Sequence, residues 1–100
     1  MWICLVKMRA QPGKETALVR MCEEWMAGAP GKGCSSVELL LDAADRSLVA
    51  LLERWESREQ FETNAAREMA DADLMARFQA VTAGAPEVQQ FRPASVRSHD

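Results

Sequence analysis

Tyrosine is absent from this chain of 100 residues, and aromatic residues of all kinds make up only 6% of it. No phenol side chain is available. Histidine occurs once, as His99 in a polar tail, so a histidine-based metal site, a histidine acid–base dyad or haem held by an imidazole would need residues the chain lacks. Three cysteines, Cys4, Cys22 and Cys34, form an odd set without CxxC spacing. Cys4 and Cys22 stand among apolar neighbours, where cysteine acts as a small hydrophobe, so no disulfide framework is expected. Glycine and proline are few, at 5 and 4, which excludes collagen-like or low-complexity order. A basic excess is also missing: 12 basic against 15 acidic residues give a net charge of -3, and nucleic acid is not an expected partner. No apolar run reaches the roughly 18 residues of a membrane span, and no secretion signal opens the chain. The expectation is a cytoplasmic protein without a membrane partner.

What the chain does contain is enough apolar residue, 48% against 27% charged, for one domain with a true core. Trp2 to Arg9 reads as a strand, bounded by the turn Gln11-Pro12-Gly13. From Lys14, the pairs Ala17 and Leu18, Met21 and Cys22, and Trp25 and Met26 recur every four residues, the stripe of an amphipathic helix. Gly28 to Gly33 ends it. That loop lacks GxxxxGK[ST] spacing and is followed by a strand, so it is a connection and not a phosphate cradle. Cys34 to Leu41 and Ser47 to Trp55 are two apolar segments joined by a hairpin-length loop. Ser57-Arg58-Glu59-Gln60 has the form of a capping box and predicts a helix start. Phe61 and Ala65 share its inner face. Leu74, Met75, Phe78 and Val81 form a further helical stripe that Gly84 and Pro86 stop, and Glu87 to Arg92 is a final strand. Residues 1–93 form the domain and 94–100 a polar C-terminal tail.

The order βαββααβ predicts an α+β, ferredoxin-like fold: a four-stranded antiparallel sheet with its helices on one face. The other face is expected to be apolar too. In the third strand Val49, Leu51 and Trp55 share one parity while Leu48, Ala50 and Leu52 share the other; in the first, Ile3 and Leu5 oppose Trp2, Cys4, Val6 and Met8. A monomer exposing such a surface would carry an unusually large apolar patch, so a homodimer closing through the helix-free sheet face is expected.

Four stretches give the chain a family likeness: the turn Gln11-Pro12-Gly13, the run Gly31 to Leu39, Glu53 to Glu59 at the end of strand three, and Ala83 to Val88 before the last strand. In these it resembles the antibiotic biosynthesis monooxygenase domain family, dimeric α+β barrels, over residues 2–93. The resemblance implies oxygenation of an electron-rich aromatic substrate, quinol- or anthrone-like, with no flavin, haem or metal cofactor. Triplet dioxygen reacts with a substrate that donates an electron once deprotonated. The protein then has to promote that ionisation, stabilise the oxyanion and exclude water.

By the same resemblance Trp55 lines the substrate pocket, although a tryptophan at a sheet end is also an ordinary core anchor. Asn64 stands where family members often carry histidine; its amide can bond a phenolic oxygen but cannot act as a base, and the other reading is a polar residue on the solvent side of the helix. Phe61 replaces a tyrosine of some oxygenases. Glu53 is a candidate base with its pKa raised by the apolar sheet, or else an edge salt bridge with Arg54 or Arg58. Leu51, Met75 and Arg77 complete a substrate-binding set, and Arg67, like Arg77, is either a cation for a substrate oxygen or a solvated face residue. Met21, Met26, Met69 and Met75 either fill the core or line an adaptable pocket for a flat ring. Haem breakdown is disfavoured, because the family's helix histidine has no counterpart. The alternative function is a non-catalytic small-molecule-binding or accessory dimer of the same fold; isomerisation or cyclisation in the same pocket has no diagnostic residue.

Overall fold

The computed structural model describes residues 1–98; His99, assigned to the polar tail, lies outside the described residues, as does Asp100. In chain order the elements are β1 (Trp2–Arg9), α1 (Glu15–Gly28), a 3-10 turn (Ala29–Lys32), β2 (Cys34–Leu41), β3 (Leu48–Trp55), α2 (Arg58–Met69), α3 (Ala72–Gln79) and β4 (Glu87–Phe91). The four strands form one antiparallel sheet in the order β2-β3-β1-β4, the ferredoxin-like α+β arrangement.

Local chemistry explains the boundaries. β3 begins at Leu48, one residue after the expected start, because Ser47 is held in the hairpin turn: its backbone N–H and its hydroxyl both donate to Asp45 Oδ1, at 2.9 and 2.7 Å. The Gly-Pro loop is not wholly irregular. Pro30, with its fixed φ, is the second residue of the 3-10 turn, and Gly33 ends it at φ 91°, in the left-handed region. A Cβ on Gly33 would also fall 2.8 Å from the end of the Gln60 side chain, which would have to swing aside; it is the positive φ that calls for glycine there. Half of the expected capping box forms: Ser57 Oγ accepts from the Gln60 N–H at 3.1 Å, while the Gln60 side chain packs over Gly33. Asp71 caps α3 in the same manner, accepting from the Leu74 N–H at 3.1 Å.

Register decides what each sheet face carries. Trp2 pairs with Trp55, Cys4 with Glu53 and Val6 with Leu51, so these residues share the face on which the helices lie. Along β3 the residues Val49, Leu51, Glu53 and Trp55 are buried and their neighbours are only half-buried. Leu18 and Cys22 of α1 pack with Met8, Val49, Leu51 and Val81 in one core cluster. Cys4, Ala29, Cys34 and Trp55 form a second, with Phe61 against it. The helix-free face has an apolar band from Ile3, Leu5, Leu48, Ala50, Leu52 and Phe91, crossed by Lys7 and Arg54 and flanked by Glu38 and Glu87. It is therefore less uniformly apolar than the sequence parity suggested, because Lys7 and Arg54 cross its central strands and β2 and β4 place charges at its margins. Among the described residues no helix is long and apolar enough to cross a membrane.

Candidate functional site

Between the helix-bearing sheet face and the helices lies a cavity of about 700 Å³. Its floor is Val6 and Met8 of β1 with Leu51, Glu53 and Trp55 of β3; α1 contributes Met21, Cys22 and Trp25. The roof comes from α2 through Phe61, Asn64, Ala65, Glu68 and Met69, and from α3 through Leu74, Met75 and Phe78. The α2 residues follow the i, i+3, i+4, i+7, i+8 spacing of a single helix face. Gly84 to Pro86 close one end. The cavity stays open because the middle of that face is short: Ala65 and Asn64 stand where Leu or Phe would fill the space.

Glu53 is the chemically distinctive group in this space. It is 4% exposed and its Oε1 accepts a hydrogen bond from Trp55 Nε1 at 2.8 Å. Loss of water around the carboxylate pushes its pKa up to about 7; the indole bond pulls down, and the Glu68 charge adds a further upward push. No salt bridge involves it among the described residues. The alternative of an edge salt bridge is corrected accordingly: Arg58 bonds Glu62 at 2.7 Å and lies over the Trp2 ring, and the alternation of β3 turns Glu53 inward while Arg54 faces the other way. A carboxyl that titrates near neutrality inside an apolar space is suited to taking a proton from a bound molecule.

Trp55 is 1% exposed and joins both core and cavity, its ring centroid 6.3 Å from Trp25 and 5.6 Å from Phe61 in an edge-to-face pair. Trp25 repeats the indole–carboxylate motif at the cavity wall: its Nε1 donates to Glu68 Oε2 at 2.6 Å. The same oxygen lies 3.4 Å from Lys32 Nζ, and that ammonium sits 5.3 Å from the Trp25 ring centroid.

Asn64 is 4% exposed, so it is not a solvent-facing polar residue of the helix: it is on the inner stripe of α2, one turn after Phe61. Its Oδ1 is buried and has no hydrogen-bond partner among the described residues. Leu51, Phe61 and Met75 also line the cavity, together with Met21 and Met69. Arg77 does not. It projects from α3 to pair with Glu24 at 3.1 Å and is 60% exposed, so its assignment to the substrate is withdrawn. Met26 packs into the first core cluster and leaves the cavity to the other methionines. Trp25 and Glu68 were missed as site residues. The signal was present in both cases, since Glu68 follows Asn64 by four residues and Trp25 follows Met21 and Cys22 on the α1 stripe.

The three cysteines are free and buried. Burial, reinforced by nearby carboxylates including Glu53, raises the Cys4 thiol to about 12, the Cys22 thiol to about 11, and Cys34 in the same direction. They are protonated thiols and poor nucleophiles at neutral pH.

A ferredoxin-like sheet roofed by helices over an apolar hollow, with one uncompensated carboxyl on its floor, defines a small α+β domain with a candidate site. Residues 1–91 match the sequence profile of the antibiotic biosynthesis monooxygenase family, and the chain belongs to that family. No curated protein matches it in sequence. Among solved structures it is similar to an antibiotic biosynthesis monooxygenase candidate from Chloroflexus aurantiacus J-10-fl, at 25% identity and TM-score 0.74 over 98% of each chain. It is also similar in fold to NE2512, a protein of unknown function from Nitrosomonas europaea, at 17% identity and TM-score 0.79 over 99% of this chain and 94% of that one. Rv0793 from Mycobacterium tuberculosis shares the fold at 17% identity and TM-score 0.76, over 97% and 98% of the two chains.

Proposed function

We propose that the protein is a cofactor-independent monooxygenase of a quinol- or anthrone-like aromatic substrate, with Glu53 as the base. The observation that carries this reading is a carboxyl with a pKa of about 7 facing an apolar cavity of about 700 Å³. For an anthrone, Glu53 removes one proton from the ring CH2. The resulting carbanion gives an electron to dioxygen, and the radical pair joins to form a C–O bond. The peroxide takes the proton back from Glu53 and loses water, so that CH2 and O2 become C=O and H2O. Trp55 holds Glu53 by its indole N–H and packs near the ring with Phe61, while Met21, Met69 and Met75 supply a deformable apolar wall. Asn64 bonds a substrate oxygen. The test is oxygen uptake by the purified protein with a panel of anthrones and hydroquinones. Consumption above buffer is expected for at least one ligand that binds, and binding throughout the panel without uptake assigns the protein to ligand binding alone.

We also infer that a second copy of the chain covers the helix-free face, supported by the apolar band of Ile3, Leu5, Leu48, Ala50, Leu52 and Phe91, the last 48% exposed. Light scattering is expected to return twice the 11.1 kDa of one chain; the single-chain mass overturns the inference.

A further inference from the structure

The cavity has a sign. Its lining carries two carboxyl side chains, Glu53 on the floor and Glu68 in the roof, and among the described residues no lysine, arginine or histidine. Asn64, Gln79 and Thr82, also in the lining, are uncharged.

The chain itself shows what completes such a site. At Trp25 the indole N–H donates to Glu68 Oε2 at 2.6 Å, and the Lys32 ammonium lies 3.4 Å from that oxygen and 5.3 Å from the ring centroid. Indole, carboxylate and cation form one unit. Inside the cavity the unit is repeated without its cation. Trp55 Nε1 donates to Glu53 Oε1 at 2.8 Å, yet among the described residues no salt bridge reaches Glu53 and no cation lies over the Trp55 ring. The other carboxyl oxygen, Oε2, accepts no hydrogen bond from the described residues. Solvent does not stand in for the missing partner, since Glu53 is 4% exposed.

Three rings border this carboxyl. The Trp55 centroid is 6.3 Å from that of Trp25 and 5.6 Å from that of Phe61, and all three residues line the cavity. Aromatic faces are electron-rich, and they attract a cation more strongly in a dry site than at a surface. A negative ligand group would instead be repelled by Glu53 and Glu68 together.

We propose that the ligand is a planar aromatic carrying a basic nitrogen, whose positive charge takes beside Glu53 and Trp55 the place that Lys32 holds beside Glu68 and Trp25. This rests on the reading of the cavity as an aromatic site, which it deepens by naming a substrate class: ring-nitrogen bases and amine-bearing polycycles that hold a proton at neutral pH. Pairing with the cation keeps Glu53 ionised, the form that accepts a proton from the ring.

The experiment is titration calorimetry on the whole protein at about pH 8, above the Glu53 value of about 7. The probes are 9-aminoacridine, a planar cation, acridone, an uncharged tricycle of similar size, and acridine-9-carboxylate, an anion. The cation is expected to bind at least about tenfold more tightly than acridone, and the anion more weakly than either. In Glu53→Gln the cation and acridone bind alike. A second measurement needs no variant. At about pH 6 most of Glu53 is protonated, so the cation should lose about tenfold in affinity while acridone keeps its own. The titratable groups facing Glu53 are Glu68 of α2, paired with Lys32, and the thiols of Cys4 on β1, Cys22 on α1 and Cys34 on β2; the thiols are uncharged throughout that interval.

Equal binding of the cation and acridone by the wild-type protein, tighter binding of the anion, a preference that survives in Glu53→Gln, or binding of no probe overturns the proposal. Should Glu53→Gln fail to fold, a cation affinity equal at the two pH values overturns it. The two readings fail separately. Oxygen uptake with uncharged anthrones alongside equal binding of the probes removes the cation and keeps the base. Charge selection without uptake from any anthrone, basic ones included, keeps the cation and removes the reaction.

Discussion

The molecule contains the same hydrogen bond twice, an indole N–H donating to a glutamate, in settings that differ in water and in counter-ion. Glu68 receives Trp25 at 2.6 Å beside the Lys32 ammonium and is 24% exposed; Glu53 receives Trp55 at 2.8 Å with no cation and 4% exposure. The indole is common to both, and at Glu53 it lowers the pKa, so it is not what raises it. Water and counter-ion make the difference: where both are withheld, the ionised form is disfavoured and the carboxyl titrates in the physiological range. One pair ties α1 to α2, and the other holds the carboxyl proposed as the base.

The strongest way to break this contrast is Glu53→Gln, which keeps the shape and removes the base. Oxygen uptake with a competent anthrone is expected to fall by about 10²–10⁴-fold, the usual range for loss of a general base. Glu68→Gln should change it by less than about tenfold, and equal losses would abolish the distinction between the pairs. In the wild-type protein the rate should rise with pH through about 7 and then level, since Glu53 works as the ionised base.

Stability gives the next largest effect. The folded-state pKa of Glu53 is raised to about 7 from its ordinary 4.5, so the native protein binds more protons than the unfolded chain between those values. Stability contributed by this group is then fully present below about 4.5 and is lost as pH rises through about 7. The loss amounts to about 3 kcal/mol at one unit per 1.36 kcal/mol. Urea unfolding of wild-type protein against Glu53→Gln at several pH values should show it as a difference that grows upward across that window. A difference independent of pH would mean that Glu53 is hydrated in solution.

A smaller change tests the indole. Trp55→Phe removes the one contact that lowers the Glu53 pKa, so the midpoint of the rate profile should move upward by about one unit, within the range of charge-assisted hydrogen bonds. A downward move would contradict the assigned balance. Trp25→Phe is expected to cost only about 1 kcal/mol of unfolding free energy, measured in urea, because Glu68 keeps Lys32 and its contact with water.

The fold was legible because its signals were local and agreed with one another. The Gln11-Pro12-Gly13 turn, the four-residue stripe from Ala17 to Met26 and the Ser57 cap each delimit one element, and βαββααβ order leaves few topologies. The site was legible in part. Glu53 shares the strand parity of Leu51 and Trp55, which points it inward, but apolar residues on both parities of β3 blurred which side was inside. Asn64 and Glu68 lie on the stripe begun by Phe61, yet polar residues on a short helix ordinarily face solvent. Arg77 misled for the converse reason: it follows Leu74 by three residues, but a long cationic side chain at a helix end finds an acidic neighbour on the outside, here Glu24.

β3 is an interior strand, hydrogen-bonded along its length to β1 on one side and β2 on the other, whereas α3 buries none of its residues. By that measure the sheet side of the pocket is the better tied: the carboxyl proposed as the base rides on a strand bonded on both sides. A molecule too large for the resting hollow would enter by lifting the α3 roof, with Glu53 and Trp55 keeping their relative aim throughout.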